Sequence, residues 1–139
     1  MVKICVIDGQ GGGIGSTIIK KVKAVFGESI DLIALGTNAI ATSQMLKAKA
    51  NKGASGENAI IHTVKKVDYI IGPVSIIFPN AMMGEITPKM SEAISSSSAL
   101  KLLLPLSQEN VKIIGLSSVP LPELVDILIE AYLIPFIKI

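Results

Sequence analysis

The segment Asp8 to Thr17 (DGQGGGIGST) holds the densest chemistry in the 139-residue chain, with five glycines set beside a carboxylate, a carboxamide and two hydroxyls. Glycine has no Cβ, so it permits positive φ and lets a ligand approach the backbone closely. The apolar run Lys3 to Ile7 precedes the glycines, and Ile14, Ile18, Val22 and Val25 follow at helical spacing. The segment therefore reads as a turn from a buried strand into the N-terminus of an amphipathic helix. Unpaired amides and the positive end of the helix dipole suit such a turn to a phosphate or another anion. Gly9, Gly11, Gly12, Gly13, Ile14, Gly15, Ser16 and Thr17 are the expected contacts to a phosphate-bearing small molecule. Asp8 ends the strand and is expected to bond the loop's own amides or to touch a ligand hydroxyl or metal, which makes it one of two acid–base candidates.

The second acid–base candidate is Glu85, in the loop Asn80 to Thr87 (NAMMGEIT), where apolar neighbours would raise its pKa. Met82 and Met83 beside it read as core or lid packing. Gly36, Thr37 and Asn38 follow the second apolar run and could face a sugar, with Gly72 and Pro73 flooring the same cleft. Ser55 in GASGEN can cap a helix, and Glu57 and Asn58 offer further polar contacts. His62 reads as a partly exposed helix residue and Cys5 as a small buried hydrophobe. With one cysteine and one histidine, a Cys/His zinc site is excluded and no metal site is expected.

These positions need elements to hold them. Lys3–Ile7, Ile30–Leu35, Asp68–Ile71, Leu100–Leu104 and Val111–Leu116 read as strands. Helices are expected over 14–26, 39–48, 56–66, from Thr87-Pro88 to Ser95, and over 120–133. The alternation predicts one three-layer α/β, Rossmann-like domain over residues 1–139 with a mainly parallel five-stranded sheet. Only Pro105 to Asn110 separates the last two strands, too few for a parallel crossover, so the fifth strand is expected to run antiparallel at an edge.

Gly9, Gly13 and Gly15, with Ile14 between the last pair, resemble the TGxxxGIG loop of short-chain dehydrogenases/reductases, Asp8 standing in place of the threonine. The resemblance implies NAD or NADP as cofactor. That family's Tyr-x-x-x-Lys is not matched, since Pro73 and Phe136 stand four places after Tyr69 and Tyr132. Gly11 to Thr17 (GGGIGST) also resembles the KGGVGKST loop of MinD-type ATPases, with Gly11 and Ser16 in place of its lysines. Through IDGQGGGIG, ALGTNAIAT, GASGENAI, IIGP and GEITP, nearly the whole chain resembles a family of small bacterial proteins designated a domain of unknown function, with a Rossmann-like nucleotide-binding fold.

Thirteen bases, all lysine, oppose eleven acids. With no arginine and no aromatics among the lysine clusters, nucleic acid is not an expected partner. The apolar stretch Tyr69 to Gly84 is broken by Gly72, Pro73, Pro79 and Asn80, so no membrane span is expected, and the location is expected to be cytoplasmic. The leading functional reading is a nucleotide- or dinucleotide-binding protein. A small NAD(P)-dependent oxidoreductase, or another nucleotide-dependent enzyme, and a non-enzymatic interaction subunit are the alternatives. Leu124, Val125, Ile127, Leu128, Ile129, Leu133, Ile134, Phe136, Ile137 and Ile139 exceed what one helical stripe buries, so a homo-oligomer is expected, with 136–139 extended against a strand edge.

Overall fold

The computed structural model describes residues 1–107 and 109–138. Five strands form one sheet: β1 (Val2–Asp8), β2 (Ile30–Gly36), β3 (Lys52–Ser55), β4 (Tyr69–Pro73) and β5 (Leu100–Leu104). Their order is β3-β2-β1-β4-β5, and every pairing is parallel. The helices are α1 (Gly13–Phe26), α2 (Ala39–Lys47), α3 (Glu57–Thr63), α4 (Pro88–Ser96) and α5 (Leu121–Leu128), the last running into a π-helical turn, Ile129–Leu133.

The continuous apolar runs explain the layering. Ile4, Val6, Leu32 and Ala34 alternate onto one face, where Ile18, Ile19 and Val22 of α1, Met45 of α2 and Val125 and Leu128 of α5 cover them. Cys5, Ile7, Ile33 and Leu35 point to the other face, under Ile60 of α3 and Met90 and Ile94 of α4. A parallel sheet covered on both faces has no polar alternation in its central strands. Burial pushes the Cys5 thiol up to about 12, so it remains protonated and packs as a small hydrophobe.

Three expectations need correction. The last strand is β5, it is parallel to β4, and Val111–Leu116 forms no strand. Ile114 there is 92% exposed, and Gly115 at φ 93° turns the chain out of any extended path. The remaining strand is β3, where the sequence predicts only the end of one helix and the cap of the next. Its KGAS sequence is exposed throughout and is ordered by backbone pairing, with Asn51 Oδ1 accepting the Leu32 N–H at 2.8 Å to start it. Ser55 consequently lies in β3 rather than capping α3, which opens at Gly56 without a side-chain cap.

The C-terminal segment is also not extended. The N–H groups of Phe136 and Ile137 both donate to the Leu133 carbonyl, and Ile137 turns back into the core beside Val125 and Leu128. Ile139, and Gln108 in the connection after β5, lie outside the described residues. Among the described residues no helix is long and apolar enough to cross a membrane.

Candidate functional site

β1 is central, and the chain leaves it towards β2 and β3 on one side but reaches β4 and β5 on the other. The connections after β1 and β4 therefore diverge at their carboxyl ends and leave a crevice between them. Asp8 closes β1 there and is 3% exposed. Its Oδ1 accepts the Gly9 N–H at 2.8 Å and its Oδ2 accepts the Gly15 N–H at 2.7 Å. The carboxylate thus occupies the start of α1 from inside the protein, the amide-bonding role expected of it. Burial holds the Asp8 pKa above its ordinary value despite the N–H groups of Gly15 and Gly9, and the charge of Glu85 pushes in the same direction as burial.

The glycines of the loop divide into two kinds. A Cβ on Gly9 would stand 2.6 Å from both Met82 Sδ and Thr37 Oγ1, and one on Gly15 would stand 2.6 Å from Met45 Sδ. Gly12 caps α1 at φ 74°, where a Cβ would come within 2.9 Å of the Ala41 backbone. Packing accounts for all three. Gly11 and Gly13 are exposed, and a Cβ on either would meet open space. Gly13 is the first residue of α1, so positive φ is not what calls for glycine there.

Thr37 and Asn38, at the end of β2, are turned towards Glu85. Glu85 Oε1 accepts three hydrogen bonds, from Thr37 Oγ1 at 2.6 Å, the Gln10 N–H at 2.8 Å and Asn38 Nδ2 at 2.8 Å. Asn38 also caps α2, its Oδ1 accepting the Ala41 N–H at 2.8 Å. Desolvation alone would raise the Glu85 pKa, but the bonds from Thr37, Gln10 and Asn38 outweigh it and hold the carboxyl below its ordinary value. The raised pKa expected of Glu85 is thus reversed, because its surroundings supply donors rather than apolar walls. The loop delivering it places Asn80, Met82, Met83 and Gly84 at positive φ, between 56° and 90°. Three of these four carry side chains, a concentration of backbone strain that ordinary turns avoid.

Asp8, Gln10, Ile14, Pro73, Ser75, Met82, Leu106, Ser107 and Glu109 line a cavity of about 310 Å³ in the crevice. It unites Asp8, Ile14 and Pro73 from the sequence reading. Other expected contacts face elsewhere. The hydroxyls of Ser16 and Thr17 bond back to the carbonyls of Gly12 and Gly13. Gly36 packs under Thr42, and a Cβ on Gly72 would stand 2.5 Å from the Ile7 carbonyl oxygen, so both glycines serve packing. Glu57 accepts the Thr87 hydroxyl and ties α3 to the cap of α4. Gln10 and Ser75 were not singled out from the sequence. Ser75 follows the carboxyl end of β4 by two residues, a position that could have flagged it once β4 was set beside β1.

Among the described residues no group of three or more His, Cys, Asp or Glu side chains could hold a metal ion. No curated protein matches the chain. The family model described as Domain of unknown function (DUF3842) matches residues 3–135.

Proposed function

We propose, for a chain that belongs to the Domain of unknown function (DUF3842) family, that it binds a phosphate-bearing small molecule of the nucleotide or dinucleotide class in the crevice between β1 and β4. The observation that carries this reading is the cavity at the carboxyl ends of the central strands, lined by Gln10 and Ile14, which adjoin in sequence Gly11 and Gly13, two glycines that packing does not require. The strand order β3-β2-β1-β4-β5 matches that of the doubly wound dinucleotide fold, whose ligands bind at this reversal point. The proposed phosphate donors are the N–H groups of Gly11 and Gly13. Their neighbours are engaged, Gly9 and Gly15 by Asp8, Gln10 by Glu85 and Gly12 by the Gly9 carbonyl. The ligand body would lie over Ile14, Pro73 and Met82.

Glu85 also bears on the ligand. An adenosine ribose at the end of β2 would meet the Glu85 carboxylate, whose Oε1 takes the donors of Thr37 and Asn38, and a carboxylate at that place can accept ribose hydroxyls. A thermal-shift panel on the full chain with AMP, ADP, ATP, NAD, NADP and inorganic pyrophosphate tests the reading. A ligand at about a hundred times its Kd adds about 2.7 kcal/mol, which is a clear rise in Tm. No rise with any of the six at millimolar concentration would reject it.

A second copy of the chain is the proposed partner. β5 is an edge strand, and beside it Leu102, Leu104, Leu116, Leu124, Ile127 and Tyr132 help line an apolar groove of about 430 Å³. Ile127 is 50% exposed and Phe136 69%. An open edge with apolar side chains beside it favours self-pairing.

A further inference from the structure

We infer a second ligand site, for a small amphipathic anion, under α3 on the sheet face opposite α1. α3 spans only seven residues, too short to roof the whole of β2 and β3. The uncovered sheet leaves a cavity of about 250 Å³, whose floor includes Ile33, Leu35, Ala54 and Val67. Lys3, Lys52 and Lys66 supply its charge, and His62 and Thr63 complete the wall. It shares no lining residue with the crevice described above.

The register of the sheet explains why the charges converge. Lys3, Asp31 and Ile33 lie on the face carrying Cys5 and Leu35, and Lys52 is paired with Ile33 and points the same way. Asp31 binds Lys52 at 3.2 Å and offsets one positive charge. Lys66, one turn beyond His62, brings its Nζ to 3.1 Å from His62 Nε2. An ammonium can only donate, so in this contact Lys66 is the donor and His62 Nε2 the acceptor. Three ammonium groups stand against two carboxylates, Asp31 on Lys52 and Asp68, whose Oδ2 accepts the Lys3 N–H at 2.8 Å, and leave the rim net positive above an aliphatic floor. A carboxylate on a short alkyl chain satisfies both parts, since its head meets the lysines while its body covers Ile33, Leu35 and Val67. Free phosphate would use only the rim, and a neutral alcohol only the floor.

His62 is the chain's one histidine, so its imidazole resonances report on this cavity without ambiguity. The experiment is an NMR titration of the full chain with hexanoate, hexanol and inorganic phosphate. Hexanoate should shift the His62 signals saturably, with at least tenfold tighter binding than either control. Lys66→Gln should weaken hexanoate at least fivefold. Ala54→Leu, which fills the floor from an exposed strand, should abolish binding while the chain remains folded by its amide spectrum. Unchanged His62 signals at tens of millimolar hexanoate would overturn the site. Hexanol or phosphate binding as tightly as hexanoate would overturn the amphipathic assignment. Undiminished binding in Ala54→Leu would move the ligand elsewhere.

Discussion

Replacing Gly13 by valine separates a ligand-binding glycine from a packing glycine. Gly13 opens α1 and a Cβ there meets nothing within 4 Å, so the side chain enters no occupied space. Glycine is a poor helix residue, and valine recovers a few tenths of a kcal/mol of backbone entropy. The expected change in stability is therefore small and of either sign, within about 2 °C in Tm. Gly12→Ala is the contrast. It forces a side chain into a left-handed conformation at about 1–2 kcal/mol and presses its Cβ to 2.9 Å from the Ala41 backbone, which cannot swing away. The sum is at least about 2 kcal/mol, or about 7 °C for a chain of this length. Calorimetry on both variants reads the stabilities, and isothermal titration with the best nucleotide from the panel reads the binding. Gly13→Val should bind at least tenfold more weakly at nearly wild-type stability, because its branched side chain stands where the phosphate approaches. Wild-type affinity in Gly13→Val would refute the phosphate assignment, and a drop in Tm beyond about 5 °C would refute the open geometry on which the reasoning rests.

Three further outcomes follow from the same contacts. Glu85→Gln keeps an oxygen for Thr37, Gln10 and Asn38 but loses the charge, and urea unfolding at pH 7 should show a loss of about 1 kcal/mol. That difference should vanish as pH falls below 4.5, since a carboxylate with a depressed folded pKa stabilises above its unfolded pKa and stops doing so through its folded one. Asp8 has the opposite sign: its folded pKa is raised above 3.8, so wild-type stability relative to Asp8→Asn should fall as pH rises from 3.8 through that raised value, and an opposite slope would refute its burial as the dominant effect. Light scattering should find the intact chain as a dimer or larger assembly at tens of micromolar, and Ile127→Glu should dissociate it. A monodisperse wild-type monomer would refute the edge-pairing proposal.

What could be read from the sequence was whatever side-chain burial dictates locally. β1 and β2 are apolar because both faces are covered, so KICVI and IDLIAL declared themselves, and Thr87-Pro88 announced α4 through a cap whose hydroxyl does accept the Met90 N–H. β3 could not be read, because its four exposed residues contribute backbone pairing and almost no burial. Val111–Leu116 misled for the converse reason, since apolar residues without a covering layer do not make a strand. The crevice was legible at Asp8, Ile14 and Pro73, which the sequence reading placed together. Glu85, Thr37 and Asn38 were also named, but not their pairing, because Thr37 and Asn38 lie 48 and 47 residues from Glu85. No local pattern encodes a contact that only the return of the chain to β4 creates.

The two carboxylates in the crevice set the terms on which a phosphate could enter. Asp8 already takes the Gly9 and Gly15 N–H groups, so an arriving phosphate would gain those of Gly11 and Gly13, about 1.5–3 kcal/mol each. Against this stands the ionised Asp8, whose charge would repel a nearby phosphate by a few kcal/mol at an effective dielectric of about 20. The chain has no arginine to offset that repulsion. Gain and cost are thus of the same order while Asp8 is charged, and the gain prevails once Asp8 takes up a proton. For the proposed phosphate, the burial that raises the Asp8 pKa would link entry to proton uptake at that carboxyl. Glu85, with its pKa held down by three donors, remains charged through the same pH range and stays anchored across the end of β2. For the proposed ligand, Asp8 would then set the charge of the phosphate that can be held, and Glu85 would set how far the rest of it reaches towards β2.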